Sequence, residues 1–147
     1  VELIEHFGFA RMKVLQFAFA EGDQNDYRPH SHTPNSVVYT GTHDNDTCVG
    51  WARAADDADR RLALEYLAGT SGAEDYELAW HFVRGALTSV AQFAVVPMQD
   101  LLAQGNSFRM NLPGTTGGNW EYRVRADQLT EDLTARLRRL TEIADRV

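Results

Sequence analysis

Four consecutive residues, His43-Asp44-Asn45-Asp46, bring an imidazole, an amide and two carboxylates into one short segment. They follow a short apolar run, Ser36-Val37-Val38-Tyr39, and a glycine, Gly41. β-Branched and aromatic side chains fit a pleated, buried strand. Gly41 is expected to permit a backbone conformation that other residues resist. The cluster therefore falls at the carboxyl end of a strand, where α/β proteins bind their substrates. A carboxylate in that place can stabilise a transition state of oxocarbenium character, and Asp44 is the candidate. The plainer reading is a solvated turn in which Asp and Asn hydrogen-bond their own backbone.

Three other groupings could carry chemistry. His30 and His32, with His43, Asp44 and Asp46, supply nitrogen and oxygen ligands of the kind zinc or a dinuclear hydrolytic centre uses. Against this, His30-x-His32 sits in a loop, which positions ligands poorly. The segment Asn111–Trp120 is rich in glycine, and turns of that kind can cradle anions. It lacks the G-x-x-x-x-G-K-[ST] pattern, so its glycines are better read as letting a loop pass close to a ligand. Asn111, Asn119 and Trp120 are then available for hydrogen bonds and stacking. Cys48 has no basic activator beside it in sequence and is not expected to be a nucleophile.

The elements that must position these residues are legible in outline. Leu3, Ile4 and Phe7 recur at helical spacing up to Gly8. Lys13–Phe19 reads as a strand covered on both faces, because it is apolar without alternation. Residues 20–35, with Gly22, Pro29 and Pro34, form a long polar loop whose segment 25–32 mixes Tyr27 with several donors. After the central strand, helices are expected over Asp56–Ala68 and Asp75–Val90, the second burying Leu78, Phe82, Leu87 and Val90 on one face. Phe93–Met98 is a further buried strand ended by Pro97, and Asp100–Gln104 a helical turn capped by Gly105. Residues 106–123 are irregular. A last helix over Thr130–Val147 carries Leu133, Leu137, Leu140 and Ile143 at spacings of four and three, with Thr130 as its N-cap. Trp51 and Trp80 are read as packing residues. This order is that of a parallel α/β protein, of which three strands are visible.

Bulk composition narrows the partners. The chain has 147 residues, 44% of them apolar, which suffices for one domain with a core. With 14 basic against 21 acidic residues the net charge is −7, which argues against nucleic acid and anionic membrane. No stretch approaches the roughly 20 apolar residues of a membrane helix. A single cysteine excludes an internal disulfide and suits a reducing cytoplasm. The amino terminus shows no signal-peptide pattern and reads as the inside of a helix, as in a fragment.

Three blocks together carry a family resemblance: Met12-Lys13-Val14-Leu15-Gln16-Phe17-Ala18-Phe19, then Val38-Tyr39-Thr40-Gly41-Thr42-His43-Asp44-Asn45-Asp46-Thr47, then Arg109-Met110-Asn111 with Pro113-Gly114-Thr115 and Gly118-Asn119-Trp120. In order and spacing they resemble the 4-α-glucanotransferases, or amylomaltases. The resemblance implies an α/β fold in which residues 1–147 are the C-terminal portion of one catalytic domain, the last three strand–helix units of a truncated (β/α)8 TIM barrel. It implies transfer of α-1,4-glucan segments between maltooligosaccharides, or to glucose, by a retaining double displacement. Asp44 is then the transition-state-stabilising carboxylate, His43 and Asn111 bind substrate, and His30 belongs to a loop on the acceptor side. No cofactor or metal is needed. The nucleophile and the acid/base are expected upstream, in a missing N-terminal part of the same polypeptide, and Glu2 and Glu5 cannot replace them. The chain alone is therefore expected to be inactive. Cys48 stands where many members have Thr, and Tyr122 where many have Trp. The competing readings are a non-catalytic glucan-binding or partner module and a metal-dependent hydrolase.

Overall fold

The computed structural model describes residues 2–20 and 26–146; Gly22 and Asn25 of the long polar loop lie outside them. The chain is an α/β protein built on a three-stranded parallel sheet in the order β1-β2-β3, with β1 at Arg11–Val14, β2 at Ser36–Tyr39 and β3 at Phe93–Val95. Register pairs Val14 with Tyr39 and Tyr39 with Val95, so the carboxyl ends of all three strands reach one edge.

Helix α1 (Glu2–Phe7) stops at Gly8, which takes the left-handed conformation at φ 65° as the sequence suggests. The first strand is shorter and earlier than its apolar run implies. It ends at Val14, and Leu15–Phe17 turn into a 3-10 helix. An apolar run without alternation cannot distinguish a strand from a buried turn. Between β2 and β3 lie α2 (Cys48–Ala54), α3 (Asp57–Ala68) and α4 (Asp75–Leu87). Helix α2 escaped the sequence reading because its seven residues span barely two turns and include Gly50. Thr47 caps it, accepting from the Gly50 amide. Helix α4 ends before Val90, which is exposed rather than part of the apolar face.

The core lies between the sheet and these helices. Phe82 of α4 meets Phe19 and Trp51 edge-on, with ring centroids 5.6 and 5.1 Å away, an arrangement that suits the aromatic quadrupole. Val38, Leu15, Leu64 and Leu78 complete this cluster. Trp80, Val83 and Leu87 form a second cluster on the other side of α4. There they meet Leu133, Leu137 and Leu140 of the last helix, α6 (Glu131–Ile143), whose N-cap Thr130 accepts from the Leu133 amide. Arg136 lies 3.9 Å from the Trp80 ring, a cation–π contact.

Helices cover one face of the sheet. The other face, through Met12, Phe93 and Val95, is exposed. Strand β3 is thus an edge strand with one face open, not the buried strand expected from Phe93–Met98, and it ends two residues before Pro97. Pro97 instead opens the short helix α5 (Met98–Leu101). The turn after α5 closes through Ala103 at φ 48°, while Gly105 holds an ordinary extended angle. Among the described residues no helix is long and apolar enough to cross a membrane.

The connection into β2 is pinned by His32, which is buried with Nδ1 2.6 Å from Ser89 Oγ and Nε2 2.8 Å from the Tyr27 carbonyl. Burial holds its pKa below the ordinary 6.5, against the raising effect of the Tyr27 carbonyl. The fold therefore favours the neutral ring. Its contribution to stability is present above the unfolded pKa of about 6.5 and is lost as pH falls through the lowered folded value. Thermal unfolding followed between pH 7 and 5 is expected to fall more steeply for the native protein than for His32→Gln; parallel curves would show that folding leaves the His32 pKa unshifted.

Candidate functional site

The site stands on the carboxyl edge of the sheet, where the residues after each strand meet. From β1 comes Gln16, from β2 the loop 40–47, and from β3 Asp100 and the irregular segment 105–123. Each contributes a polar group whose partner lies on another segment.

Asp44 and His43 project together from the β2 loop. His43 Nε2 lies 3.3 Å from Asp44 Oδ2, and both side chains are about half exposed. Asn111 reaches across from the second loop and donates Nδ2–H to Asp44 Oδ1 at 2.6 Å. The structure thus brings Asp44, His43 and Asn111 together across 67 residues of sequence. Trp120 completes the group, with its ring centroid 5.0 Å from that of His43. It is an exposed residue at φ 64°. A bulky side chain in the left-handed region is strained, and the Trp120 amide secures the turn by donating to Met110 O at 2.7 Å.

His30 is elsewhere. Its Nδ1 lies 2.8 Å from Tyr66 Oη of α3, and both ring nitrogens of His32 are engaged as described above. The His30, His32, His43, Asp44 and Asp46 ligand set of the metal-hydrolase reading is therefore not assembled. Among the described residues no group of three or more His, Cys, Asp or Glu is placed to hold a metal ion.

The loop carrying Asp44 is held from below by groups whose structural part differs from the one the sequence suggested, or for which it suggested none. Asp46 turns inward: Oδ1 accepts from the Thr47 amide at 2.7 Å and Oδ2 from Asn106 Nδ2 at 2.6 Å. Arg109 lies 3.8 Å from the same carboxylate, donates to the Asp44 carbonyl at 2.9 Å and to the Asn111 carbonyl at 3.3 Å. One guanidinium thereby fixes both loops against each other, a use its planar fork of donors suits. Its position two residues before Asn111 was the available signal. Gly41 and Gly50 matter through proximity. A Cβ on Gly41 would lie 2.6 Å from Gln16 Nε2, and one on Gly50 2.2 Å from Asp46 Oδ1. Gly41 is not among the residues at positive φ, so the expected conformational role gives way to close approach.

Asp100 is buried, with Oδ2 accepting from Thr40 Oγ1 at 2.5 Å and Oδ1 from the Cys48 amide at 2.7 Å. Burial pushes its pKa upward against both hydrogen bonds. Burial also drives the Cys48 thiol well above its ordinary value, reinforced by the neighbouring Asp100. A neutral, enclosed thiol is a poor nucleophile, as the sequence suggests. His43, Asp46, Arg109 and Trp120 line a cleft of about 480 Å³ together with Met12, Tyr39 and Val95 from the open sheet face. Polar donors at one rim and apolar walls behind them suit a polar organic ligand with hydrophobic ring faces.

Comparison with known proteins gives consistent matches. A family model described as 4-alpha-glucanotransferase matches residues 1–130. The 4-alpha-glucanotransferase of Thermus thermophilus is 43% identical over 99% of this chain and 30% of its own length. That of Streptococcus pneumoniae is 45% identical over the whole chain and 29% of its own length. Among solved structures, the amylomaltase of Streptococcus agalactiae in complex with acarbose is similar with a TM-score of 0.90 and 34% identity, over 99% of this chain and 29% of that protein. The chain thus spans about 30% of the length of the curated relatives it matches.

If Arg109 clamps the two loops, Arg109→Met should speed amide hydrogen exchange across residues 43–46 and 109–112 by about tenfold or more. Arg123, whose guanidinium binds the Trp120 and Tyr122 carbonyls, serves as the control. Equal exchange in Arg109→Met and the native protein would remove the clamp.

Proposed function

Because the chain belongs to the 4-alpha-glucanotransferase family, we propose that it contributes the acceptor-ready edge of a site that moves α-1,4-glucan segments between maltooligosaccharides or to glucose. The observation that carries the reading is the Asp44 carboxylate, gripped by Asn111 and flanked by His43, which itself lines a partly apolar cleft. Asp44 is the carboxylate that stabilises positive charge on the sugar as the glycosidic bond breaks. His43 and Asn111 orient the reacting sugar through hydrogen bonds, and Trp120 offers a ring face against it. His30, which meets Tyr66 away from this group, is assigned to a loop on the acceptor side.

A retaining displacement needs two further carboxylates about 5 Å apart across the bond. Asp46, two residues along, is committed to Thr47, Asn106 and Arg109 and cannot take either part. The nucleophile and the acid/base are assigned to the remainder of a longer polypeptide. On this reading residues 1–147 are the C-terminal portion of one catalytic domain, the last three strand–helix units of a (β/α)8 barrel. The open face of Met12, Phe93 and Val95 then lies toward the barrel interior, and the free edges of β1 and β3 pair with strands supplied by the rest. The unpaired Cys48 suits a reducing compartment such as the cytoplasm.

In the full-length parent, Asp44→Asn is expected to lower redistribution of maltotriose by at least about a hundredfold while thermal unfolding stays unchanged. Near-native turnover would remove the role of Asp44. Binding of maltotriose by the parent without any transfer would favour a non-catalytic glucan module instead.

A further inference from the structure

The mechanism proposed for Asp44 leaves one buried acid unused. Asp100 is 1% exposed, and enclosing a carboxylate costs free energy unless its oxygens are hydrogen-bonded. The two donors it receives come from residues that bracket the functional loop. Thr40, itself fully buried, is the residue after β2, and Cys48, also fully buried, is the first residue of α2. The residues between them, 41–47, include His43 and Asp44. A single carboxylate on the segment after β3 therefore closes both ends of a loop that follows β2.

The loop has a second fastening from the opposite neighbour. Gln16, after β1, donates Nε2–H to the Asp46 carbonyl at 2.7 Å. Within the loop, Asn45 Oδ1 accepts from the Thr42 amide at 2.9 Å and the Thr42 hydroxyl at 2.7 Å. These contacts shape the loop, whereas the Asp100 pair joins its two ends, where the Thr40 and Cys48 side chains also meet. Asp100 receives Thr40 and Cys48 on different oxygens, so the separation of the loop ends is set by the width of one carboxylate.

We infer that Asp100 is a positioning residue: by joining the end of β2 to the start of α2, its carboxylate determines where loop 41–47 presents His43 and Asp44 to the sugar. The inference rests on the glucan-transfer reading of Asp44. Asp100 itself touches neither His43 nor Asp44, and acts through the two ends of their loop. Displacing a catalytic group by about 1 Å can cost about a hundredfold in rate, whereas ground-state binding through the rest of a glucan is much less sensitive.

The test uses the full-length parent with Asp100→Asn, Thr40→Val and Thr40→Ser. Rates on maltotriose, amide exchange of residues 41–48 and thermal unfolding are measured for each. Asp100→Asn keeps the shape, Thr40→Val removes one donor at constant volume, and Thr40→Ser keeps the hydroxyl. The expected result is a fall in kcat of about 10- to 100-fold for the first two, with KM changed by no more than about twofold. Exchange over residues 41–48 should quicken in both, and Thr40→Ser should recover most of what Thr40→Val loses. Native kcat and native exchange in either folded variant would overturn the inference. If the native parent transfers no glucan, the functional reading fails and the exchange arm alone decides the positioning role: faster exchange supports it and unchanged exchange overturns it.

Discussion

A carboxylate removed from water must be compensated by donors within reach, and at Asp100 that requirement organises the whole carboxyl edge of the sheet. Satisfying its two oxygens draws the Thr40 hydroxyl and the Cys48 amide to one point. Burial still raises its pKa from the ordinary carboxylate value, so its hydrogen bonds do not fully offset desolvation. A purely apolar junction would pack without that cost. What an apolar junction lacks is direction: hydrogen bonds to two separate oxygens fix two backbone points relative to each other, and van der Waals contact does not.

From that junction outward the architecture divides its labour. Below it, the aromatic cluster of Phe19, Trp51 and Phe82 and the helices after β2 provide rigidity through burial. Above it, polar side chains from three segments interlock, with Arg109 and Asn111 crossing from the second loop to the first. His43 and Asp44 are exposed, and the groups that hold their loop, Asp46 and Arg109, are more enclosed. On the proposed reading, that gradient lets Asp44 meet a sugar without losing its orientation. Trp120 follows the same pattern, an exposed ring held in a strained conformation beside His43.

Much of this was legible in the residues, for reasons that differ element by element. Gly8 and Thr130 announced helix boundaries because each satisfies orphan backbone groups in a way few residues can. Helix α3 and the parallel order followed from apolar spacing and chain order. That Asp44 and Asn111 share one site was implied by family resemblance, not by spacing, and their hydrogen bond emerged only with the fold. Lys13–Phe19 misled because period-free apolar runs do not specify a strand, and Phe93–Met98 because apolar character does not reveal which sheet face is covered. Asp100 was hidden in an ordinary helical turn: nothing in Met98-Gln99-Asp100-Leu101 distinguishes a buried acid from a solvated one. Arg109 stood in a motif, but its three partners lie on both loops and exist only once the sheet has formed.

The single cysteine acquires a meaning from the same junction. Its sulfur is wholly enclosed, its thiol is kept protonated, and its backbone amide is one of the two donors to Asp100. An oxidant or alkylating reagent can reach it only when the packing around it opens, and one such opening, the parting of the first turn of α2 from Asp100, would also release the loop bearing Asp44. A labelling reagent at Cys48 would therefore report how often the junction at the start of α2 opens.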